Sequence, residues 1–182
     1  MNIKNFIPNT LTISRGIGIV IICILVYSPT PFKFPLVYSI FLFCIASDYF
    51  DGMLARLWKV KSNFGIVFDS LFDKILTICM YILLVPFNLI HPSIFVALIF
   101  RDLFIDGLKN YSLSSGKPIS SKFSGKLKMV FQSLLINFAL LLLIFPNNHL
   151  LTNLLWISST LALLFSYYSG LLYVYDWSKN KR

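Results

Sequence analysis

The chain has 182 residues, 57% of them hydrophobic and only 13% charged, with a mean hydropathy of +0.78. An ordinary soluble domain is about 45–50% apolar, so the composition excludes the soluble globular classes and points to an integral membrane protein. Lysine and arginine outnumber the acids 16 to 7, giving a formal charge of +9, which fits retention of basic loops in the cytoplasm and attraction to anionic membrane lipids.

Breakers at Ser28-Pro29-Thr30-Pro31, Lys61-Ser62-Asn63, His91-Pro92, Ser115-Gly116-Lys117-Pro118 and Pro146-Asn147-Asn148 divide the sequence. The apolar runs between them predict six transmembrane helices at 9–28, 34–58, 65–89, 93–114, 121–145 and 150–177. Each is long enough at 1.5 Å per residue to cross a hydrocarbon core of about 30 Å. In the first helix Arg15 lies early in the apolar run and no small-residue cleavage site follows, so the segment reads as a retained helix rather than a cleaved leader. The second and third helices carry Asp48, Asp51, Asp69 and Asp73, and the fourth carries Arg101 and Lys109. Gly125-Lys126-Leu127-Lys128 opens the fifth helix. Basic residues flank the start, the second and fourth loops and the end of the chain, which places both termini in the cytoplasm. No Gly/Ser linker or repeat interrupts the pattern, so the expected architecture is one all-α membrane domain over 1–182. Cys23, Cys44 and Cys79 lie in apolar segments without metal-ligand spacing and read as packing residues. His91 and His149 sit beside turn signals and read as interfacial turn residues.

The acids pose the sharper question. All seven are aspartates, and four fall between residues 48 and 73. An ionised carboxylate in a membrane segment is costly and marks a functional site facing a polar cavity. Asp48 and Asp51, three apart, share one helix face, which Gly52, Ala55 and Arg56 continue; Gly65, Asp69 and Asp73 step by four along the next helix. Two antiparallel helices joined by a short turn would bring these stripes together near the cytoplasmic surface. A carboxylate-only set suits hard divalent ions such as Mg²⁺, Mn²⁺ or Ca²⁺, and four carboxylates suffice for an ion pair of the kind that serves phosphoryl centres. The small residues at 52, 55 and 65 leave room for a ligand against the backbone, and Arg56 has the fork that a phosphate needs. Plain interhelical ion pairs with Arg56, Lys59 or Lys74 are the alternative, but they require no small residues in register.

The run Asp48-x-x-Asp51-Gly52-x-x-Ala55-Arg56, followed by Gly65-x-x-x-Asp69-x-x-x-Asp73, resembles the signature of the CDP-alcohol phosphotransferases. The resemblance implies a six-helix membrane enzyme, commonly a homodimer, that moves a phosphatidyl group from CDP-diacylglycerol or a related CDP-alcohol onto a hydroxyl and releases CMP. It further implies that Asp48, Asp51, Asp69 and Asp73 bind two Mg²⁺ or Mn²⁺ ions, that Asp73 is the general base, and that Gly52, Ala55 and Arg56, with Ser62 and Gly65, hold the nucleotide. Pro8-Asn9-Thr10-Leu11-Thr12 and Arg15 look like the opening of one branch, the phosphatidylglycerophosphate synthases, which would add Asn9 and Thr12 to the nucleotide site. Read from the residues, Pro8-Asn9 instead ends a surface segment and Thr10 or Thr12 caps the helix.

The acceptor is read from the basic residues. Arg101, Lys109, Lys126 and Lys128 would line a pocket that wants a dianion, and glycerol 3-phosphate fits where a neutral headgroup would leave cations uncompensated. The same branch carries an arginine near position 101 and a G-K-x-K stretch; Asp102 departs from its usual Glu and Lys109 from its usual Arg. Within the family, inositol phosphate or phosphatidylglycerol, as in a cardiolipin synthase, are the other acceptors. Outside it stands a divalent-cation transporter, which would want acids spread across the membrane depth. The expected setting is a bacterial inner membrane with the site facing the cytoplasm, membrane lipids as partners, a homodimer, and no nucleic acid.

Overall fold

The computed structural model describes residues 3–57, 63–116 and 123–181, excluding the side chains of 3–9, 11, 12, 51, 52, 54–57, 63–70, 180 and 181. Among the described residues the elements are helices and no strand: α1 Ile3–Val26, α2 Lys33–Leu57, α3 Asn63–Leu84, α4 Pro92–Ser114, α5 Phe123–Ile144 and α6 His149–Lys181, with a 3-10 turn at Val85–Phe87. Three of these, over Lys33–Phe50, Phe123–Ile144 and His149–Lys179, contain stretches long and apolar enough to cross a bilayer, and α1 adds a shorter apolar stretch at Ile13–Val26.

The helix bounds differ from expectation by more than two residues at three places: α6 runs on to Lys181 rather than ending at 177, and the other two lie at prolines. α1 begins at Ile3 rather than at residue 9 and runs through Pro8, so Thr10 lies inside the helix and does not cap it. Near a helix start proline's fixed φ suits the helix, and its missing N–H removes only one bond. α3 stops at Leu84 rather than at 89, because Pro86 draws the chain into the 3-10 turn and Asn88 then takes a left-handed φ of 52°. The breakers at 28–31, 91–92 and 146–148 fall at helix boundaries as read, while Lys61, Ser62, Lys117 and Pro118 lie outside the described residues. His91 caps α4, its Nδ1 accepting from the Ser93 amide at 3.3 Å, with Pro92 at the first helical position. Asn148 caps α6 through Oδ1, accepting from the amides of Leu150 and Leu151. Gly116, at φ 73°, follows the end of α4 where a side chain would be strained.

The chain divides into two compact units, Met1–Leu83 and Leu84–Arg182. In the first, α1 lies against α2 with Arg15 opposite Asp48 and Gly18 opposite Cys44, so the two run antiparallel. A Cβ at Gly18 would come within 2.8 Å of the Cys44 sulfur, which accounts for glycine there. In the second, α4 and α6 run in the same sense, with Ala97 near Tyr167, Arg101 near Ser169 and Lys109 near Tyr173, while α5 runs against α6 through the stacked rings of Phe131 and Phe165 and the approach of Gly125 to Tyr173.

Polarity is distributed as in a chain solvated by lipid. Large apolar side chains such as Ile24, Phe100 and Leu171 are among the most exposed, while Arg15, Arg101, Gln132, Ser166 and Ser169 are buried. In water that arrangement would be costly on both counts; in hydrocarbon the polar groups must find partners inside the protein.

Candidate active site

Helix α2 carries Asp48, Asp51, Gly52, Ala55 and Arg56, and α3 carries Gly65, Asp69 and Asp73, so every position of the aspartate signature is helical and the i, i+3 and i, i+4 spacings keep their meaning. The side chains of Asp51, Gly52, Ala55, Arg56, Gly65 and Asp69, and all of Ser62, lie outside the described residues. Among the described residues no three His, Cys, Asp or Glu side chains form a metal cluster. The two signature carboxylates whose side chains are described, Asp48 and Asp73, are both partly accessible, and an all-oxygen donor set of this kind fits a hard divalent ion.

Two consecutive residues of α1 tie this region together. Arg15 is fully buried, and its Nη1 lies 2.9 Å from Oδ1 of Asp48, whose side chain keeps 40% of its surface accessible. The next residue, Gly16, packs against the ring of Phe72, where a Cβ would come within 2.9 Å of Cζ. Phe72 precedes Asp73, so α1 touches α2 and α3 at the first and beside the last aspartate of the signature. Sequence pattern marks Arg15 only as a basic residue near a helix start; its burial against a signature aspartate is the added finding. Asn9 and Thr12 lie in α1 with side chains outside the described residues.

The basic residues of the second unit form a more closed arrangement. Asp102, on α4, accepts from Arg101 Nη1 at 2.9 Å and from Lys128 Nζ at 2.6 Å on the same oxygen, Oδ1, and from Gln132 Nε2 at 3.0 Å on Oδ2. Arg101 also donates through Nη2 to Ser169 Oγ on α6, and Ser169 in turn donates to the Ser166 carbonyl at 3.0 Å. Gly170 makes this possible, since a Cβ there would sit 3.2 Å from Arg101 Nε. Two of the four expected acceptor cations are thus gathered on one carboxylate. Lys109 takes a different partner, its Nζ standing 4.3 Å from the centre of the buried Tyr173 ring. Tyr173 in turn presses on α5 at Gly125, where a Cβ would lie 3.0 Å from its hydroxyl, which explains the glycine of the G-K-x-K stretch. Lys126 is exposed. Asp102, Gln132 and Ser169 are the members that the sequence pattern does not single out for binding; the unusual acid after Arg101 is the only signal it offers.

Over residues 5–168 the chain matches the family described as CDP-alcohol phosphatidyltransferase. It is 37% identical over 97 residues to a Mycoplasma pneumoniae protein named CDP-diacylglycerol--glycerol-3-phosphate 3-phosphatidyltransferase, a stretch that is 53% of this chain and 43% of that relative. Relatives of the same name include one from Cereibacter sphaeroides, 30% identical over 58% of this chain and 49% of its own length. Another, from Salmonella choleraesuis, is 33% identical over 69% and 71% respectively. The match thus spans less than half the length of the first two relatives.

Proposed function

The chain belongs to the CDP-alcohol phosphatidyltransferase family, and from that premise we propose that it transfers a phosphatidyl group from CDP-diacylglycerol to glycerol 3-phosphate, giving phosphatidylglycerophosphate and CMP. The reading is carried by one coincidence: the relatives bearing that activity in their names match a chain whose eight signature residues all stand on α2 and α3.

Asp48, Asp51, Asp69 and Asp73 are the proposed ligands of two divalent ions, Mg²⁺ or Mn²⁺. Such ions, when bound, supply Lewis-acid neutralisation of charge on the attacking and leaving oxygens. The residues of the chain do the rest. Gly52, Ala55 and Gly65 let the cytidine diphosphate approach the helix backbones, Arg56 pairs with a phosphate, and Asn9, Thr12 and Ser62 complete the nucleotide contacts. Arg15 holds one oxygen of Asp48 and so fixes the direction of that carboxylate. The Asp73 carboxylate takes the proton of the acceptor hydroxyl as its oxygen bonds to the phosphorus bearing diacylglycerol. The bond from that phosphorus to the bridging oxygen breaks, and CMP leaves. Arg101 and Lys128, with Lys109 and Lys126, are the proposed cations for the acceptor's phosphate.

The same reading assigns six transmembrane spans with both termini cytoplasmic, one catalytic domain over 1–182 acting as a homodimer, and a bacterial inner membrane as location. It is supported by the loop charges and by the length of the family match. The test is CMP release by purified protein given CDP-diacylglycerol and one acceptor at a time. Release with glycerol 3-phosphate is expected. Release only with inositol phosphate or phosphatidylglycerol would overturn the acceptor assignment, and Asp69-dependent cation uptake in liposomes without any CMP release would overturn the enzyme.

A further inference from the structure

We propose that Asp102 is the positioning residue of the acceptor site: it holds Arg101 and Lys128 side by side as a preformed receptor for the phosphate of the acceptor. This rests on the reading of an acceptor with a phosphate group given above.

Two cations do not sit together in a weakly polar interior unaided. Arg101 is 7% exposed and the Lys128 side chain 12%, so their mutual repulsion is poorly screened. Asp102 resolves this by placing both on one oxygen, at 2.9 and 2.6 Å. Gln132 occupies the other oxygen at 3.0 Å and fixes the rotation of the carboxylate. The carboxylate is therefore committed to protein donors on both sides, which suits a frame better than a ligand of the substrate or a base.

Arg101 and Lys128 contribute two positive charges; Asp102 holds both, and Asp106, one turn further along α4, acts on Lys128 as a second carboxylate. Donor capacity remains. Among the described residues the buried Arg101 Nε–H has no hydrogen-bond acceptor, and Gly170 lets it lie where a Cβ would come within 3.2 Å. A buried donor without an acceptor beside two ordered cations is what an anion site offers. With the two cations already desolvated and ordered, binding a phosphate costs less side-chain freedom.

The test is steady-state kinetics of the full chain with both substrates varied, together with calorimetric titration of glycerol 3-phosphate. Asp102→Asn keeps the shape but removes the charge that holds the cations together. The KM for glycerol 3-phosphate is expected to rise about tenfold, as for loss of a charge-assisted bond, with the CDP-diacylglycerol KM and kcat within about twofold to threefold; Asp102→Glu is expected to restore most of the loss. Calorimetric affinity should fall in parallel. Should Asp102→Asn not fold, Gln132→Leu carries the test, with an expected rise of about threefold in the acceptor KM alone. Partial unfolding lowers Vmax and leaves KM in place, so it cannot imitate the result. Unchanged acceptor KM and affinity, or equal shifts for both substrates, would overturn the proposal while leaving the proposed function standing. A parent chain that neither binds nor uses any phosphorylated acceptor would overturn both.

Discussion

Among the described residues each unit buries an arginine beside an aspartate, and the two pairs differ in how far the aspartate can be reached. In Met1–Leu83, Arg15 is wholly enclosed and takes one oxygen of Asp48, whose side chain stays 40% accessible. In Leu84–Arg182, Arg101 shares its aspartate with Lys128 and Gln132, and the Asp102 side chain is only 21% accessible. The first arrangement orients a carboxylate that can still be reached from outside; the second uses up a carboxylate to orient two cations. One residue pair therefore serves to present negative charge in one place and positive charge in the other. Reach, rather than the presence of an ion pair, separates an acid that does chemistry from an acid that holds a frame.

The largest effect should come from removing an accessible acid. Asp73→Asn is expected to lower kcat at least about a hundredfold, the usual contribution of a general base, while a CDP-diacylglycerol titration by calorimetry shows the nucleotide still bound. Near-full turnover in that variant would place the base elsewhere and erase the functional half of the contrast with Asp102, whose substitution is expected to spare kcat.

Next comes the residue that orients rather than reacts. Arg15→Ala removes a partner of a proposed metal-binding carboxylate, and partners of that kind typically contribute about tenfold or more to metal affinity. The Mg²⁺ concentration for half-maximal CMP release should rise by about that factor, with Arg15→Lys intermediate because it keeps the charge but loses the fork. Mn²⁺ binding followed by electron paramagnetic resonance gives the same readout without turnover. The alanine variant also empties a fully buried site, so its melting temperature should fall; if stability drops while the metal requirement stays put, Arg15 is structural and the likeness between the two pairs is superficial.

How much of this was legible beforehand follows from the separation in sequence of the groups involved. The aspartate signature is legible because its members lie three or four residues apart along single helices, where spacing alone fixes the face. The all-helical fold is legible from apolar runs punctuated by proline and turn residues, with Pro8 and Pro86 as the places where punctuation and structure part. The Asp102 cluster is not legible in that way, because its bonds join residues 26 and 30 positions apart across helices. Arg15 meeting Asp48 is likewise a long-range contact, and charge alone reads Arg15 as a topology signal. Composition shows that cations are in excess, but only packing decides which of them are neutralised.

Lys126 and Lys128 make the smallest and most discriminating case. In sequence they are equivalent halves of one G-K-x-K stretch. On a helix, two positions apart is about 200° of rotation, so they cannot share a face. Lys128 accordingly reaches Asp102 at 2.6 Å, whereas Lys126 is exposed. Lys128→Ala should raise the acceptor KM about tenfold, as for a desolvated charge-assisted contact. Lys126→Ala should raise it no more than about twofold, because an exposed charge interacts through a high dielectric and is screened by salt. The salt dependence sharpens the split: the small Lys126 effect should vanish as ionic strength increases, and the Lys128 effect should persist. Equal effects from the two lysines would mean that the acceptor is gathered by general positive potential, and the closed cluster around Asp102 would lose its claim to specificity.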